Sequence, residues 1–314
     1  MPGIETVLLG GTASFTASVT NSSDTSVNWS VNGISGGSAQ VGTISADGVY
    51  TAPADLPQGG TIQVTATSHA DSSKSGQAVV TITSDIAIAI SPSSSNVELG
   101  STQAFHALIN SNGHPDATVR WSLSGSACPG SCGSIDANGN YIAPVILPNS
   151  TSVLITAVSA ADPTKQNSAS ITVTSNFTLQ VSAPASIATG VTTAITANIT
   201  AVAGSHPSSA LSWSLSGAGC SGSTCGILTV TTTQSAGPTA LADTANYTAP
   251  QSSPQPNSAT ITVTPQADPT KRAVANIAIQ PGSGGGLGLF PVTATLAANH
   301  RTTLTVSESG VSAL

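Results

Sequence analysis

The sequence predicts an all-β protein built from three β-sandwich repeats in tandem, followed by a C-terminal partial repeat or donor strand. The only three tryptophans, Trp29, Trp121 and Trp213, lie 92 residues apart, which is the spacing of a repeated domain. Around each of them apolar and polar residues alternate, as expected for a strand that buries one face. Ser, Thr, Ala, Gly and Val are abundant and 6% of residues are charged, a composition that favours strands and turns over helices.

Each repeat contains one tryptophan and, later, one tyrosine within the motif Tyr-x-Ala-Pro. A large aromatic ring on the buried face of a strand predicts the centre of a hydrophobic core. Since every repeat has its own pair, we expect three separate cores. The predicted core anchors are Trp29, Trp121, Trp213, Tyr50, Tyr141 and Tyr247.

Repeat 1 is predicted to span residues 1–84. Alternation of apolar and polar residues marks its strands, and clusters of Asn, Asp, Ser and Gly mark its turns. In order, these elements are a strand with Phe15, Ala17 and Val19, the turn 21–24, the Trp29 strand, a Gly-rich loop at 33–37, the turn 46–48, the Tyr50 strand, and two closing strands at 62–66 and 78–82.

Repeats 2 and 3 are predicted at residues 85–175 and 176–280. They repeat this order but begin with an additional opening strand, at 86–92 in repeat 2 and at 177–181 in repeat 3. Their closing strands are joined by the corner sequence Asp-Pro-Thr-Lys, at 162–165 and 268–271. Short alternating strands with turns every 8 to 12 residues are typical of a β-sandwich.

These residues resemble the bacterial immunoglobulin-like domains that occur in tandem on surface and secreted proteins. The tryptophan strand, the Gly or Asp-Gly turn before Tyr-x-Ala-Pro, and the Asp-Pro-Thr-Lys corner carry the resemblance, which covers residues 1 to about 280. It implies tandem immunoglobulin-like β-sandwiches. It does not imply one function, because such domains serve as stalks, adhesins, accessory modules of enzymes and fibre subunits.

The four cysteines form two local pairs, Cys128 with Cys132 and Cys220 with Cys225, each in the loop after the tryptophan strand. Of the three possible connectivities, the local one is favoured because each pair shares one turn. A metal site is the alternative, although no histidine lies beside either pair to complete four ligands. Disulfides indicate an oxidising compartment, so the predicted location is extracellular or at the cell surface.

Composition and motifs argue against several classes of function. The net charge is −7, from 6 basic and 13 acidic residues, and the chain has no basic patch for nucleic acid. No apolar run reaches the ~20 residues of a membrane helix, and residues 1–4 do not resemble a signal peptide. We found no catalytic motif and no cofactor motif, and His106 is expected at a solvent-facing strand position.

Two features left alternatives open. Asp24, Asp47 and Asp136 could bind calcium, but each is also explained by its turn. Gly282–Gly288 resembles a phosphate-binding loop but lacks the following Lys and helix, so a flexible linker is the preferred interpretation.

Both ends of the chain are unusual. Repeat 1 has 9 residues before Gly10, the glycine shared by all three repeats, whereas repeats 2 and 3 have 15 and 14 before the equivalent position, so repeat 1 is expected to lack most of an opening strand. Residues 281–314 form a Gly-rich linker and a tail that alternates like two strands. The predicted assembly-strand residues are Phe290, Val292, Ala294, Leu296, Leu304 and Val306.

Two explanations fit these ends. In one, the tail of one copy completes the open edge of repeat 1 in the next copy by β-strand addition, giving a head-to-tail homopolymer. In the other, the chain is a segment of a longer repeat protein and the partners are its neighbouring repeats. The predicted function is a non-enzymatic structural subunit or stalk of a bacterial surface fibre. An adhesin or carbohydrate-binding accessory module is the alternative, although 3% aromatic residues offer few platforms for sugars.

Overall fold

The computed structural model describes residues 4–220, 222–236, 240–252, 254, 257–282, 287–290 and 305–308, and describes side chains for all of these except 232–236, 240, 287–290 and 305–308. The chain divides into two compact units, Met1–Thr174 with repeats 1 and 2, and Ser175–Leu314 with repeat 3 and the tail. The predicted all-β fold is confirmed. Within the described ranges the longest helix is the four-residue 3-10 turn Gly222–Cys225, so none could span a membrane.

Repeat 1 forms two sheets, with strand orders β1-β9-β8-β3-β4 and β2-β7-β6-β5. Its strands are β1 (Ile4–Leu8), β2 (Thr12–Ser14), β3 (Val27–Val31), β4 (Ile34–Ser35), β5 (Gly37–Ser38), β6 (Gly42–Ile44), β7 (Val49–Thr51), β8 (Thr61–Ser68) and β9 (Ser75–Thr83).

Repeat 2 has one four-stranded sheet, β11-β18-β17-β14, and a second layer made of β12-β16-β15 and β10-β13. Its strands are β10 (Ala87–Ser91), β11 (Ser94–Glu98), β12 (Thr102–Ala104), β13 (His106–Asn110), β14 (Val119–Ser124), β15 (Ser134–Ile135), β16 (Asn140–Ile142), β17 (Ser152–Ser159) and β18 (Gln166–Thr174). Only Phe105 separates β12 from β13, so the second layer runs from β10 to β15.

Repeat 3 has the same two layers, β20-β26-β25-β22 and β19-β21-β24-β23, and the tail contributes the pair β27-β28. The strands are β19 (Thr178–Ser182), β20 (Ser186–Ala188), β21 (Thr192–Thr200), β22 (Leu211–Ser216), β23 (Ile227–Ala236), β24 (Ala240–Thr248), β25 (Ser258–Pro265), β26 (Ala273–Gln280), β27 (Leu287–Phe290) and β28 (Thr305–Glu308).

This strand order is that of an immunoglobulin-like sandwich. In repeats 2 and 3 the opening strand pairs with β13 or β21 in its own layer. In the opposite layer the tryptophan strand pairs with the penultimate strand, which pairs in turn with the last strand. The strand after the opening strand crosses to that opposite layer and runs parallel to the last strand, as β11 does beside β18. Apolar side chains from both layers meet between them, for example Ile195 and Tyr247 with Ile261 and Ile277 in repeat 3.

The Asp-Gly turn before the tyrosine is tied to the tryptophan by close packing. Gly139 has φ +84°, and a Cβ there would lie 2.3 Å from the Phe105 carbonyl oxygen and 3.0 Å from the Trp121 ring. Any larger residue at position 139 would therefore be strained in backbone and in space. Gly48 has the same surroundings in repeat 1, with Phe15 and Trp29. The motif recognised in the sequence is thus a packing requirement of the core.

Within the first unit, repeats 1 and 2 are joined by backbone hydrogen bonds. The loop that contacts repeat 1 follows β13 in repeat 2. Asp85 holds this loop in place, because its carboxylate accepts hydrogen bonds from Ser111 and Asn112. At the contact, a Cβ on Gly10 would lie 2.2 Å from the His114 carbonyl oxygen, so the backbones meet without room for a side chain. The bonds run from the N–H of His114 to Leu9 (2.8 Å), of Asp116 to Ala54 (3.0 Å) and of Leu56 to Ala161 (2.8 Å).

Candidate functional site

The opening strands of repeats 2 and 3 cover one edge of the sandwich. In repeat 2, β10 pairs antiparallel with β13, with Ser91 opposite His106 and Ile88 opposite Ile109. β19 pairs with β21 in the same way in repeat 3. The strand β10 also packs over β17 and β18 of the other layer, and Ile88 and Ile90 are each 9% exposed. The opening strand therefore contributes both backbone pairing and core.

Repeat 1 has no such strand among the residues that the structure describes. Phe15 corresponds to Phe105, because the N–H of each donates to the carbonyl of the turn glycine, 2.8 Å to Gly48 and 2.9 Å to Gly139. Residues 16–20 then correspond to β13, yet no described strand pairs with them. This segment, which we call the open edge, presents unpaired backbone N–H and C=O groups, the usual template for addition of a strand.

The open edge also leaves the core of repeat 1 less covered. Phe105 is 0% exposed, whereas Phe15 is partly exposed. Ala169 on β18 is 1% exposed, whereas its counterpart Ala78 on β9 is partly exposed. Both positions lie where an opening strand would cover them. The site is therefore a partly uncovered apolar core beside a polar backbone edge, which suits an extended segment with alternating apolar side chains.

A second difference lies at the corner between the closing strands. Asp268 accepts hydrogen bonds from Thr270 (3.1 Å from N–H, 2.6 Å from the hydroxyl) and, at its other oxygen, from Ser175 in the segment before the opening strand (2.8 Å). Burial raises the pKa of Asp268, but these hydrogen bonds outweigh it and the pKa is lowered. Asp162, 2% exposed, accepts equivalent bonds from Thr164. Ser84 before β10 has a buried hydroxyl oxygen without a hydrogen-bond partner, in contrast to Ser175.

In repeat 1 this corner is uncovered. Asp71 keeps the local bonds from Ser73, 2.9 Å from N–H and 2.7 Å from the hydroxyl, and these lower its pKa. Its side chain is nevertheless exposed, in contrast to Asp268 and Asp162. The corner and the open edge are thus the two places where repeat 1 lacks what the segment before repeats 2 and 3 supplies.

The tail lies partly outside the described residues. Of the predicted assembly residues, Phe290 lies in β27 and Val306 in β28, which pair antiparallel with Phe290 opposite Thr305 and Leu289 opposite Val306. The others, Val292, Ala294, Leu296 and Leu304, lie outside the described residues.

The two predicted disulfides are present, Cys128 with Cys132 and Cys220 with Cys225. The backbone carbonyl of the second cysteine in each disulfide also accepts a hydrogen bond from the core tyrosine. The Tyr141 hydroxyl donates to the Cys132 carbonyl and the Tyr247 hydroxyl to the Cys225 carbonyl, both at 2.8 Å. In repeat 1, which has no disulfide, Tyr50 donates to Val41 at the same distance. All three tyrosines are 0% exposed.

The three tryptophans are partly exposed, unlike the tyrosines. Trp121 and Trp213 lie on β14 and β22, which end their sheets, so one side of each indole is not covered by a neighbouring strand. Trp213 also donates from Nε1 to Asp243 at 3.2 Å. The predicted enclosed centre of each repeat is therefore occupied by tyrosine, with the tryptophan at its margin.

In the described part of the chain, no three His, Cys, Asp or Glu residues lie where they could share a metal ion. The carboxylates of Asp24 and Asp136 accept hydrogen bonds from their own turns, from Ser26 and from Asn138 and Asn140. Asp24 also contacts His69 (2.8 Å), and its pKa is lowered to about 2, chiefly by Ser26. His106 is exposed on β13.

A shallow groove of about 890 Å³ lies between the first disulfide loop and residues 144–150. Val145 and Ile146 line it and are 49% and 42% exposed. None of its lining residues is aromatic, so it offers no ring on which a sugar could stack.

No family model matches the sequence, and no curated protein matches it. Solved structures do resemble the fold. FdeC, an adhesin of Escherichia coli, is 16% identical with a TM-score of 0.33, and the alignment covers 87% of this chain and 94% of FdeC.

Two other structures cover similar shares of this chain. Extracellular cadherin domains 1–4 of protocadherin gamma B7 are 13% identical, with a TM-score of 0.26 over 89% of this chain and 74% of theirs. The four N-terminal immunoglobulin domains of Dscam1 isoform 1.9 are 12% identical, with a TM-score of 0.24 over 88% of this chain and 72% of theirs. At these scores the likeness decides nothing about function, and the fold assignment rests on the strand order given above.

Proposed function

We propose that this protein is a non-enzymatic, extracellular structural subunit whose copies join head to tail by β-strand addition. The open edge of repeat 1 is the observation that carries the proposal. Each of the other two repeats pairs this edge with an opening strand, so an added strand would restore an arrangement that the same chain forms twice. The two disulfides support an oxidising, extracellular setting.

Polymerisation suits the rest of the molecule. The repeats offer packed cores and short turns, and the groove beside the first disulfide has no aromatic lining, which argues against a carbohydrate-binding accessory module. Strand addition is held by hydrogen bonds between backbone groups, so it does not require particular polar or charged side chains at the edge. A subunit of this kind serves as a spacer in a fibre on the cell surface.

Deletion of residues 287–314 tests the proposal. The purified chain is expected to form linear polymers that lengthen with concentration, whereas the deletion variant stays monomeric because it has no strand to donate. Sedimentation velocity measures the mass distribution, and negative-stain imaging shows the polymers.

A variant lacking only residues 309–314 is the matched control, since it keeps both tail strands and should polymerise. Far-ultraviolet circular dichroism of each variant verifies that the repeats remain folded. Polymers of normal length from the 287–314 deletion, or monomers only from the unaltered chain, would contradict the proposal.

A further inference from the structure

We propose that β27 of a second copy is the opening strand of repeat 1, in the register that places Phe290 opposite Thr16. This inference rests on the head-to-tail assembly proposed above, and it adds the donor residues, their direction and their partners. The strand would run antiparallel to residues 16–19, as β10 runs beside β13.

The register of the tail identifies β27 as an opening strand. In repeat 2, Ser91 of β10 lies opposite His106, and in the tail, Phe290 of β27 lies opposite Thr305. In both pairs the partner is therefore 15 residues further along the chain. In repeat 2 this separation joins the opening strand β10 to its partner β13. By the same separation, β27 corresponds to the opening strand and β28 to its partner.

The residue pattern agrees with this register. Residues 88–92 read Ile-Ala-Ile-Ser-Pro and residues 287–291 read Leu-Gly-Leu-Phe-Pro. Ile88 and Ile90 are the side chains that β10 buries. Leu287 and Leu289 stand at the matching positions, and burial of both would favour the added strand.

The acceptor register follows from the shared glycine turn. Since Phe15 corresponds to Phe105, Thr16 takes the place of His106 and Val19 that of Ile109. Transferring the β10–β13 register places Leu289 opposite Ala17, Gly288 opposite Ser18 and Leu287 opposite Val19. Both leucines then face the uncovered core beside Phe15.

Repeat 1 is a better partner for β27 than β28 is. In the tail pair, Leu287 lies opposite Glu308, whereas at the open edge it would lie opposite Val19. An apolar pair across the strands is stabilising, while a carboxylate beside a leucine must stay in water. Two strands alone are at most marginally stable. Transfer of β27 from β28 to repeat 1 would therefore replace a marginally stable two-stranded sheet with a strand that is part of a β-sandwich.

Disulfide trapping between copies tests the register. All four native cysteines are disulfide-bonded, so an added cysteine is the free thiol of its variant. Ser18→Cys and Gly288→Cys, prepared separately and mixed under mild oxidation, are expected to give covalent dimers of two chains. Thr20→Cys mixed with Gly288→Cys is the matched control, because Thr20 lies two residues from Ser18 on the same face of the strand. This mixture should give several-fold fewer covalent dimers.

Equal yields from the two mixtures, or no dimers from the first, would overturn the register. The double variant Gly288→Cys/Ser307→Cys measures the competing pair: a complete intrachain bond, with no link between copies, would show that β27 stays on β28. If the unaltered chain polymerises while the in-register mixture gives no link, the proposed register fails and head-to-tail assembly stands. If neither occurs, both fall.

Discussion

Tyr141 joins the core of its repeat to the neighbouring disulfide loop. Its ring is fully buried and its hydroxyl donates to the carbonyl of Cys132 at 2.8 Å. The disulfide holds the loop in place, and the loop satisfies a hydroxyl that would otherwise be costly to bury. The sequence predicted the disulfide from its spacing and the tyrosine as an anchor. The bond between them could not be predicted, because it depends on how the loop folds back over the core.

The three tyrosines should titrate late in an alkaline titration. Burial raises the pKa of Tyr50 and of Tyr141 to about 12, and it also raises the pKa of Tyr247. The neutral phenol is favoured in the folded state, so this contribution to stability is complete below pH ~10 and is lost as the pH rises through the folded-state pKa.

Tyrosinate absorbance measures this directly, because the chain contains only three tyrosines. We expect little change near pH 10 while circular dichroism reports a folded protein, and a steep rise when it unfolds. The same chain in denaturant is the control and should titrate near pH ~10. Ionisation of all three at that pH in the folded protein would contradict the burial described.

At the scale of elements, the sequence predicted the strands well because their alternation is local. It did not predict that β11 crosses to the other layer to run parallel to β18, since this pairing joins residues that are far apart in sequence. The tryptophans were expected at the centre of each core, and the partial exposure of Trp121 and Trp213 follows from the position of β14 and β22 at sheet edges. Sheet order decides which strand is an edge, and alternation alone does not reveal it.

Substitution by alanine at matching positions of β10 and β27 is expected to affect different properties, stability in β10 and polymer length in β27. Ile88→Ala in β10 should destabilise repeat 2 by about 2–5 kcal/mol, because it leaves a cavity beneath a strand that is part of the repeat. Leu287→Ala in β27 should leave the melting of the monomer unchanged and shorten the polymers. Calorimetry at low concentration and sedimentation velocity at high concentration separate the two effects. A loss of monomer stability with Leu287→Ala would show that β27 already packs in its own chain.

At the scale of the whole molecule, the fold was predictable from the sequence and the proposed interaction site only partly so. The missing opening strand of repeat 1 was predicted from the residue count before Gly10. The uncovered corner at Asp71 was not, because its counterpart Asp268 is completed by Ser175, 93 residues away. The tail register likewise needed the paired strands, since alternation in residues 287–314 fits several registers.

Assembly should depend little on ionic strength. The proposed contact consists of backbone hydrogen bonds and apolar side chains, and the chain carries 6 basic and 13 acidic residues without a complementary patch. Salt that screens the net charge of −7 should leave polymer length unchanged or slightly increased. Sedimentation velocity at low and high salt measures this. Polymers that dissolve as salt rises would indicate an association held by ion pairs instead.

The parallel strand pairs have a mechanical consequence. Chain tension enters repeat 1 near the start of β1 and leaves near the end of its parallel partner, β9. In repeats 2 and 3 it reaches the parallel pairs β11–β18 and β20–β26 only after the opening strands β10 and β19 have detached from β13 and β21. The force therefore acts on the two parallel strands in opposite directions along their axes. All hydrogen bonds between the two strands are then loaded at the same time, in shear. Five residues are paired in the first two of these parallel pairs and three in the last, so once the opening strands have detached, the parallel pair of repeat 3 is expected to yield at the lowest force.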